Sequence, residues 1–248
     1  MITVRRQTSL GLVQDQDITL RCHFPFRTYT DPAHGACGRL RVLNIGVLSA
    51  NAAYRAGPES SIDILTWLWQ GTLSTSAAGF PDDRLEAGGL QAVSTGEGVS
   101  CLAWRAGPDG ATFLQFWFLP DDESGEPSQE VRPAFPALED GGFRILASGF
   151  PEDDPEEWRD IADGAPVTIR ARSRLMDARV PAGEGARYDT TTGRALYLVV
   201  VSGRVTLGPD TLAAGDAATV MNQTGITVMA AEDAVVLLAD TAASESAL

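Results

Sequence analysis

The sequence contains no lysine, and all 19 of its basic residues are arginine. This uniform choice reads as a coding preference rather than a functional device. Gly96–Gly98 (GEG) invites a phosphate-loop reading, but it lacks the downstream Gly-Lys-Ser/Thr and lies in a strand-turn-strand context, which excludes that reading. Acidic residues number 33, so the net charge is −14. Phosphate contacts supply most nucleic-acid affinity and need clustered cations, so this balance speaks against direct nucleic-acid binding. Cysteines number 3 in 248 residues, Cys22, Cys37 and Cys101. They are too few and too scattered for a disulfide framework, and they fit a reducing compartment. No run approaches the ~18 apolar residues of a membrane span. The opening MITVRRQTSLGLVQDQD has neither an apolar core nor a cleavage site of the secretory kind, so the expected location is cytoplasmic, with no membrane partner.

Long helical periodicity is scarce too. Short apolar runs alternate instead with Gly, Pro, Asp and Ser clusters, the pattern of an all-β sandwich or barrel. An internal repeat sharpens this reading. Leu85–Val93 (LEAGGLQAV) matches Leu212–Val220 (LAAGDAATV), and the same spacing carries Gly98–Ala103 onto Gly225–Ala230. One step earlier, Leu65–Ser74 matches Leu196–Leu207, with Gly71 falling on Gly203. In each copy a strand reaches a glycine, and a second strand leads into Leu-x-Ala-Gly, whose glycine makes the next turn. Two tandem β-barrels follow, since closing such hairpins removes exposed edges and leaves a cavity lined by alternate residues.

Between the copies, 121–180 holds a polar, proline-rich stretch (DDESGEPSQEVRPAFP) expected as an extended linker, and then the start of the second domain. Within it, FPEDDPEEWRDIADG can form one short helix, with Pro155 in its first turn and acidic residues that suit the N-terminal dipole. The first domain is expected over 1–120 and the core of the second over 181–241; 242–248 has little to bury and is expected to fray.

Several ordered motifs resemble the pirin family of two-domain cupins. They are RCHFPFRTYTDPAHGACGRLRVLN (Arg21–Asn44), GEGVSC, FLQFWFLP (Phe113–Pro120) and the second half from Pro181 to Asp216. The resemblance implies an all-β bicupin with two jelly-roll barrels. It also implies a metal site of three histidines and a glutamate in the first barrel, holding iron, nickel or copper with an open position. Some members of the family oxidise quercetin; others act through protein partners.

The residues that fall on those four positions are Gly57, Glu59, Cys101 and Ala103. No ligand is retained in kind, and glycine and alanine offer no donor. No cofactor is therefore expected. In the second copy the corresponding residues are Asp189, Thr191 and Val228, which offer nothing better.

A sulfur site built from Cys22, Cys101 and Glu59 is the alternative, set against the commoner outcome that barrel cysteines are small buried hydrophobes. Glu59 and Asp63, four residues apart on one expected strand, should share a face that looks into the first barrel. There they could raise each other's pKa and bind a cationic or hydroxylated ligand, or lie solvated at its entrance. Phe24, Phe26, Leu65, Trp67, Trp69, Trp104 and Trp117 are the apolar candidates for pocket or core. Trp67 and Trp104 are the ones that would plug the cavity. His34 is expected to make a structural hydrogen bond in its loop, and His23 to lie at the surface.

The leading expectation is a pirin-like bicupin without the metal site, binding an unknown protein partner or small molecule. The alternatives are a quercetinase-like dioxygenase with a site rearranged on Glu59, Cys101 and Cys22 or His34, and a metal-free cupin using Glu59 as general base.

Overall fold

The computed structural model describes residues 1–121, 125–135, 138, 142–153 and 164–243. Among them there is no α-helix. The strands of the first half are β1 (Ile2–Arg5), β2 (Gly11–Gln14), β3 (Ile18–Cys22), β4 (Leu40–Leu48), β5 (Ala53–Ala56), β6 (Asp63–Ala77), β7 (Asp83–Glu86), β8 (Leu90–Ser94), β9 (Leu102–Phe118) and β10 (Ser128–Arg132). Those of the second are β11 (Arg144–Ser148), β12 (Val167–Thr168), β13 (Ser173–Val180), β14 (Gly185–Asp189), β15 (Ala195–Ser202), β16 (Arg204–Leu207), β17 (Asp210–Ala213), β18 (Ala217–Met221), β19 (Gly225–Ala230) and β20 (Ala234–Thr241).

The first barrel is one nine-stranded sheet, ordered β10-β8-β6-β9-β4-β3-β2, with β5 paired to β9 and β7 to β6. It folds over itself because β6 and β9, 15 and 17 residues long, run through both layers. Register shifts on β6 at Leu68/Gln70 and Gly71/Leu73 supply the bend. The second barrel packs a seven-stranded sheet (β1-β18-β15-β20-β13-β11-β12) on a four-stranded one (β14-β19-β16-β17). The repeat is visible in backbone angles. Gly71 and Gly203 have φ of +81° and +77°, a conformation that only glycine adopts freely.

Three apolar clusters hold the molecule. One fills the first barrel, including Cys22, Tyr54, Trp104 and Phe113. Another fills the second, including Met176, Leu198, Val228 and Leu238. The third lies between the two barrels, where Leu65, Trp67, Leu114 and Phe116 meet Leu175, Tyr197, Val199 and Leu237.

Two strands cross the expected division. β1 pairs with β18 of the second barrel, and β10, inside the stretch expected as a linker, pairs with β8 of the first. An unpaired edge on β8 would be a liability, and the polar segment covers it. Of the expected helix, Pro151–Asp153 forms a single 3-10 turn, and 154–163 lie outside the described residues.

Candidate functional site

The mouth of the first barrel is built from three backbone devices. After β3, Phe26 and Tyr29 exchange backbone hydrogen bonds of 3.1 and 3.0 Å, closing a tight turn in which Arg27 takes φ +52°. β5 points Tyr54 inward and Arg55 outward. Glu59 then pairs with Val99, its N–H donating to the Val99 carbonyl at 3.0 Å and its carbonyl accepting at 2.8 Å, which sets it beside Cys101. Together Phe26, Arg27, Arg55, Ala56, Gly57, Glu59 and Cys101 line a cavity of about 370 Å³.

Arg27 organises this cavity. Its guanidinium donates to the Arg55 carbonyl at 2.7 Å, lies 4.9 Å from the centre of the Tyr54 ring and 5.7 Å from that of Phe26. Burial pushes the Glu59 carboxyl up, against a backbone hydrogen bond from Gly57 and the charge of Arg27. Burial likewise pushes the Cys22 thiol up to about 11 and the Tyr54 hydroxyl up to about 12, with Arg27 opposing both. Aromatic pairs support the surrounding segments: Tyr54 stacks on Trp104 at 5.4 Å, and Phe26 meets Trp117 edge-on at 5.5 Å.

Of the residues singled out in the sequence, Gly57, Glu59, Cys101 and Phe26 come together here. Ala103 sits next to them, opposite Arg55 across the β5–β9 ladder. Cys22 is sealed in the barrel interior while Cys101 is exposed, so the sulfur site of Cys22, Cys101 and Glu59 does not assemble. Trp104 is fully buried inside the barrel, its indole N–H donating to Gln91 at 2.8 Å, and Trp117 packs on the same interior cluster.

Trp67 and Phe24 belong elsewhere. Both lie in the cluster between the barrels, Trp67 stacked on Trp69 and Phe24 packed on Tyr197 at 5.0 Å. Asp63 also departs from expectation. Ser61 takes φ +54° and turns the chain, so β6 starts at Asp63 without sharing a face with Glu59. Asp63 is 1% exposed and accepts backbone hydrogen bonds from Arg170 (2.8 Å) and Ala171 (2.7 Å). It ties the two halves together and has no place in the mouth.

His23 is wholly buried rather than at the surface, with Nδ1 3.0 Å from the Tyr197 hydroxyl, and burial lowers its pKa to about 3 with help from Arg5. His34 pairs with Asp31 at 2.9 Å in its loop. Arg27, Arg55 and Tyr54 were missed. The available signal was the pairing of an arginine with an aromatic in both PFRTY and AAYRAG, on the two segments that flank the expected site.

A divalent metal would need donors that converge, and the residues present do not fit a site of three imidazoles and a carboxylate. Gly57 and Ala103 carry no donor. Gly57 also has φ +109°, and a Cβ there would lie 3.1 Å from the Ser100 carbonyl oxygen and 3.2 Å from the Cys101 Cα, so the backbone itself is shaped against a side chain. Among the described residues no three His, Cys, Asp or Glu side chains gather as a metal cluster. Two arginines share the cavity with Glu59 and Cys101, and a dication would meet both.

A model of the quercetinase C-terminal cupin domain matches residues 160–241. A pirin-like protein of Caulobacter vibrioides is 32% identical over 220 residues, covering 89% of this chain and 90% of its own. The quercetin 2,3-dioxygenase of Escherichia coli is 24% identical over 218 residues, covering 88% of each. The bacterial pirin YhhW of Escherichia coli, solved in complex with nickel(II), superposes with a TM-score of 0.84 at 22% identity, over 98% of this chain and all of that one. These findings agree with the two-barrel architecture. They also correct the expectation that no cofactor is to be sought. A protein of this same fold holds nickel(II), so metal belongs to the chemistry against which this chain must be judged.

Proposed function

The chain belongs to the pirin family, and we propose that within it this protein works as a small-molecule-binding bicupin, with the mouth of the first barrel as its site. One observation carries this reading. Three of the four positions that the family resemblance assigns to metal, Gly57, Glu59 and Cys101, line a cavity of about 370 Å³ together with two arginines and the Phe26 ring. Among the described residues, the equivalent positions of the second barrel form no such site. Its Val228 is buried in the core, its Asp189 is paired with Arg187 at 2.9 Å, and the hollow beside that pair measures about 190 Å³ and contains no aromatic residue.

Binding here uses side chains of this chain and needs no turnover. The reading is tested by ligand-observed NMR with a fragment set, on the wild type and on Ala56→Trp, which fills the mouth. Fragments that bind the wild type and lose contact in Ala56→Trp, at unchanged melting temperature, support it. Binding indifferent to that substitution defeats it.

A second reading is quercetin 2,3-dioxygenase activity, favoured by the name of the Escherichia coli relative and by the nickel in YhhW. Glu59 and Cys101 face one cavity and are the donors this chain could offer. Metal content by plasma mass spectrometry after loading with nickel(II), iron(II) or copper(II), together with oxygen uptake in quercetin, decides it. Stoichiometric metal that vanishes in both Glu59→Gln and Cys101→Ala, with quercetin-dependent uptake, would replace the first reading by the second.

A further inference from the structure

Resting on the reading of the first-barrel mouth as the binding site, we propose that its ligand is a small planar carboxylate. Its anionic group lies between Arg27 and Arg55, and its ring lies against Phe26. The chain as a whole is strongly acidic, at −14. The lining reverses that sign locally, with two arginines, Arg27 and Arg55, against the single acidic residue Glu59. An anion is drawn to such a local excess of positive charge on a strongly acidic chain.

Neither arginine is neutralised. Among the described residues, no carboxylate lies within ion-pair distance of Arg27 or Arg55, although ten other arginines are paired: Arg5, Arg6, Arg39, Arg84, Arg132, Arg172, Arg174, Arg187, Arg194 and Arg204. A guanidinium presents a planar fork that matches a carboxylate, which ammonium groups or waters do not reproduce. Arg27 is held in place by its bond to the Arg55 carbonyl and by the Tyr54 face, so little ordering is left for a ligand to impose.

Phe26, fixed edge-on by Trp117, supplies the flat apolar wall, and Glu59 is placed to accept from a ring hydroxyl.

The test is isothermal titration at low salt, on protein dialysed against chelator, with 4-hydroxybenzoate, the neutral 4-hydroxybenzamide and catechol as probes. The benzoate should bind at least tenfold more tightly than the benzamide. Arg55→Gln should remove that preference without moving the melting temperature, since Arg55 is exposed. Arg27→Lys, which keeps charge but loses the fork, should weaken the acid severalfold.

Equal binding of acid and amide, or an acid affinity unchanged in Arg55→Gln, would overturn the carboxylate assignment. If catechol or the amide still bound and Ala56→Trp abolished it, the mouth would stand as the binding site with a different ligand. If no probe of any charge bound, both readings would fall. Acid binding that appears only after nickel(II) is restored and survives Arg55→Gln would assign the cationic role to metal and likewise overturn the proposal.

Discussion

The two barrels share a fold and a sequence repeat, yet their interiors differ in kind. Across the first barrel, Asn44, Gln115, Thr66 and Gln91 lie side by side on β4, β9, β6 and β8. Across the second, the corresponding row on β13, β20, β15 and β18 reads Met176, Leu238, Leu198 and Ala218. Thr66 and Leu198, and Gln91 and Ala218, are the same positions of the internal repeat.

The polar row is only partly satisfied. The Gln115 amide donates to Thr66 at 3.2 Å, and Gln91 accepts from Trp104 and donates to Gln129 at 3.1 Å. Both polar atoms of the Asn44 side chain lack partners among the described residues. Each such buried group costs about 1–3 kcal/mol. One barrel is thus packed for stability, while the other keeps polar groups in its centre beneath the charged mouth. Duplication leaves one copy free to carry the structure while the other departs from the best packing.

The comparison can be broken most severely by writing the polar row into the wrong barrel. Leu198→Asn removes a fully buried aliphatic side chain and strands an amide among Met176, Leu238 and Ala218. It should cost about 5 kcal/mol from lost packing plus an unsatisfied polar group, seen as a large fall in the denaturant midpoint. A loss below about 2 kcal/mol would mean that the second interior tolerates polarity and that the contrast is superficial.

Next comes the joint between the barrels. Asp63→Ala deprives the backbone amides of Arg170 and Ala171 of a buried acceptor, and about 3–4 kcal/mol should be lost. Hydrogen exchange should accelerate at 164–175 before it does inside either barrel.

The joint also carries a pH dependence. His23 has its pKa lowered from 6.5 to about 3 by burial and Arg5, so the folded state resists a proton that the unfolded chain accepts. Its contribution is complete above pH 6.5 and is lost as the pH falls towards 3, by up to a few kcal/mol at ~1.4 kcal/mol per pH unit. Urea titrations should show a shallower acid slope in His23→Gln than in the wild type over that window. Parallel slopes would mean that His23 does not stay neutral.

The smallest effect has the opposite sign. Asn44→Leu makes the first barrel resemble the second and should raise stability by about 1–2 kcal/mol. If stability falls instead, the Asn44 amide has a partner in solution, and the polar row belongs to the site.

Much of the architecture could be read from residues alone, because repeats and turn glycines are local. Gly71 and Gly203 announce the same bend twice, and Leu85–Val93 and Leu212–Val220 each carry the chain round a turn from one strand to the next, β7 to β8 and β17 to β18, as their shared pattern implies. The family frame also placed Gly57, Glu59 and Cys101 at one mouth. It failed where a single backbone angle or a distant partner decides the environment. Glu59 and Asp63 were read as one face because strand alternation was carried through Ser61, whose positive φ ends it. His23 looked like a surface residue because alternation set it apart from Cys22 and Phe24, and the outward face of that strand turned out to be an interface.

What the sequence determined by itself is the all-β duplicated fold, because the local spacing of turns and repeats suffices for it. What only the tertiary structure decided is which groups meet. Tyr197 reaches His23 across 174 residues, and Arg170 and Ala171 reach Asp63 across 107 and 108. Arg27 and Arg55 close on the same cavity from two separate segments. Such meetings are set by how two curved sheets pack, a long-range property that no short window of sequence contains.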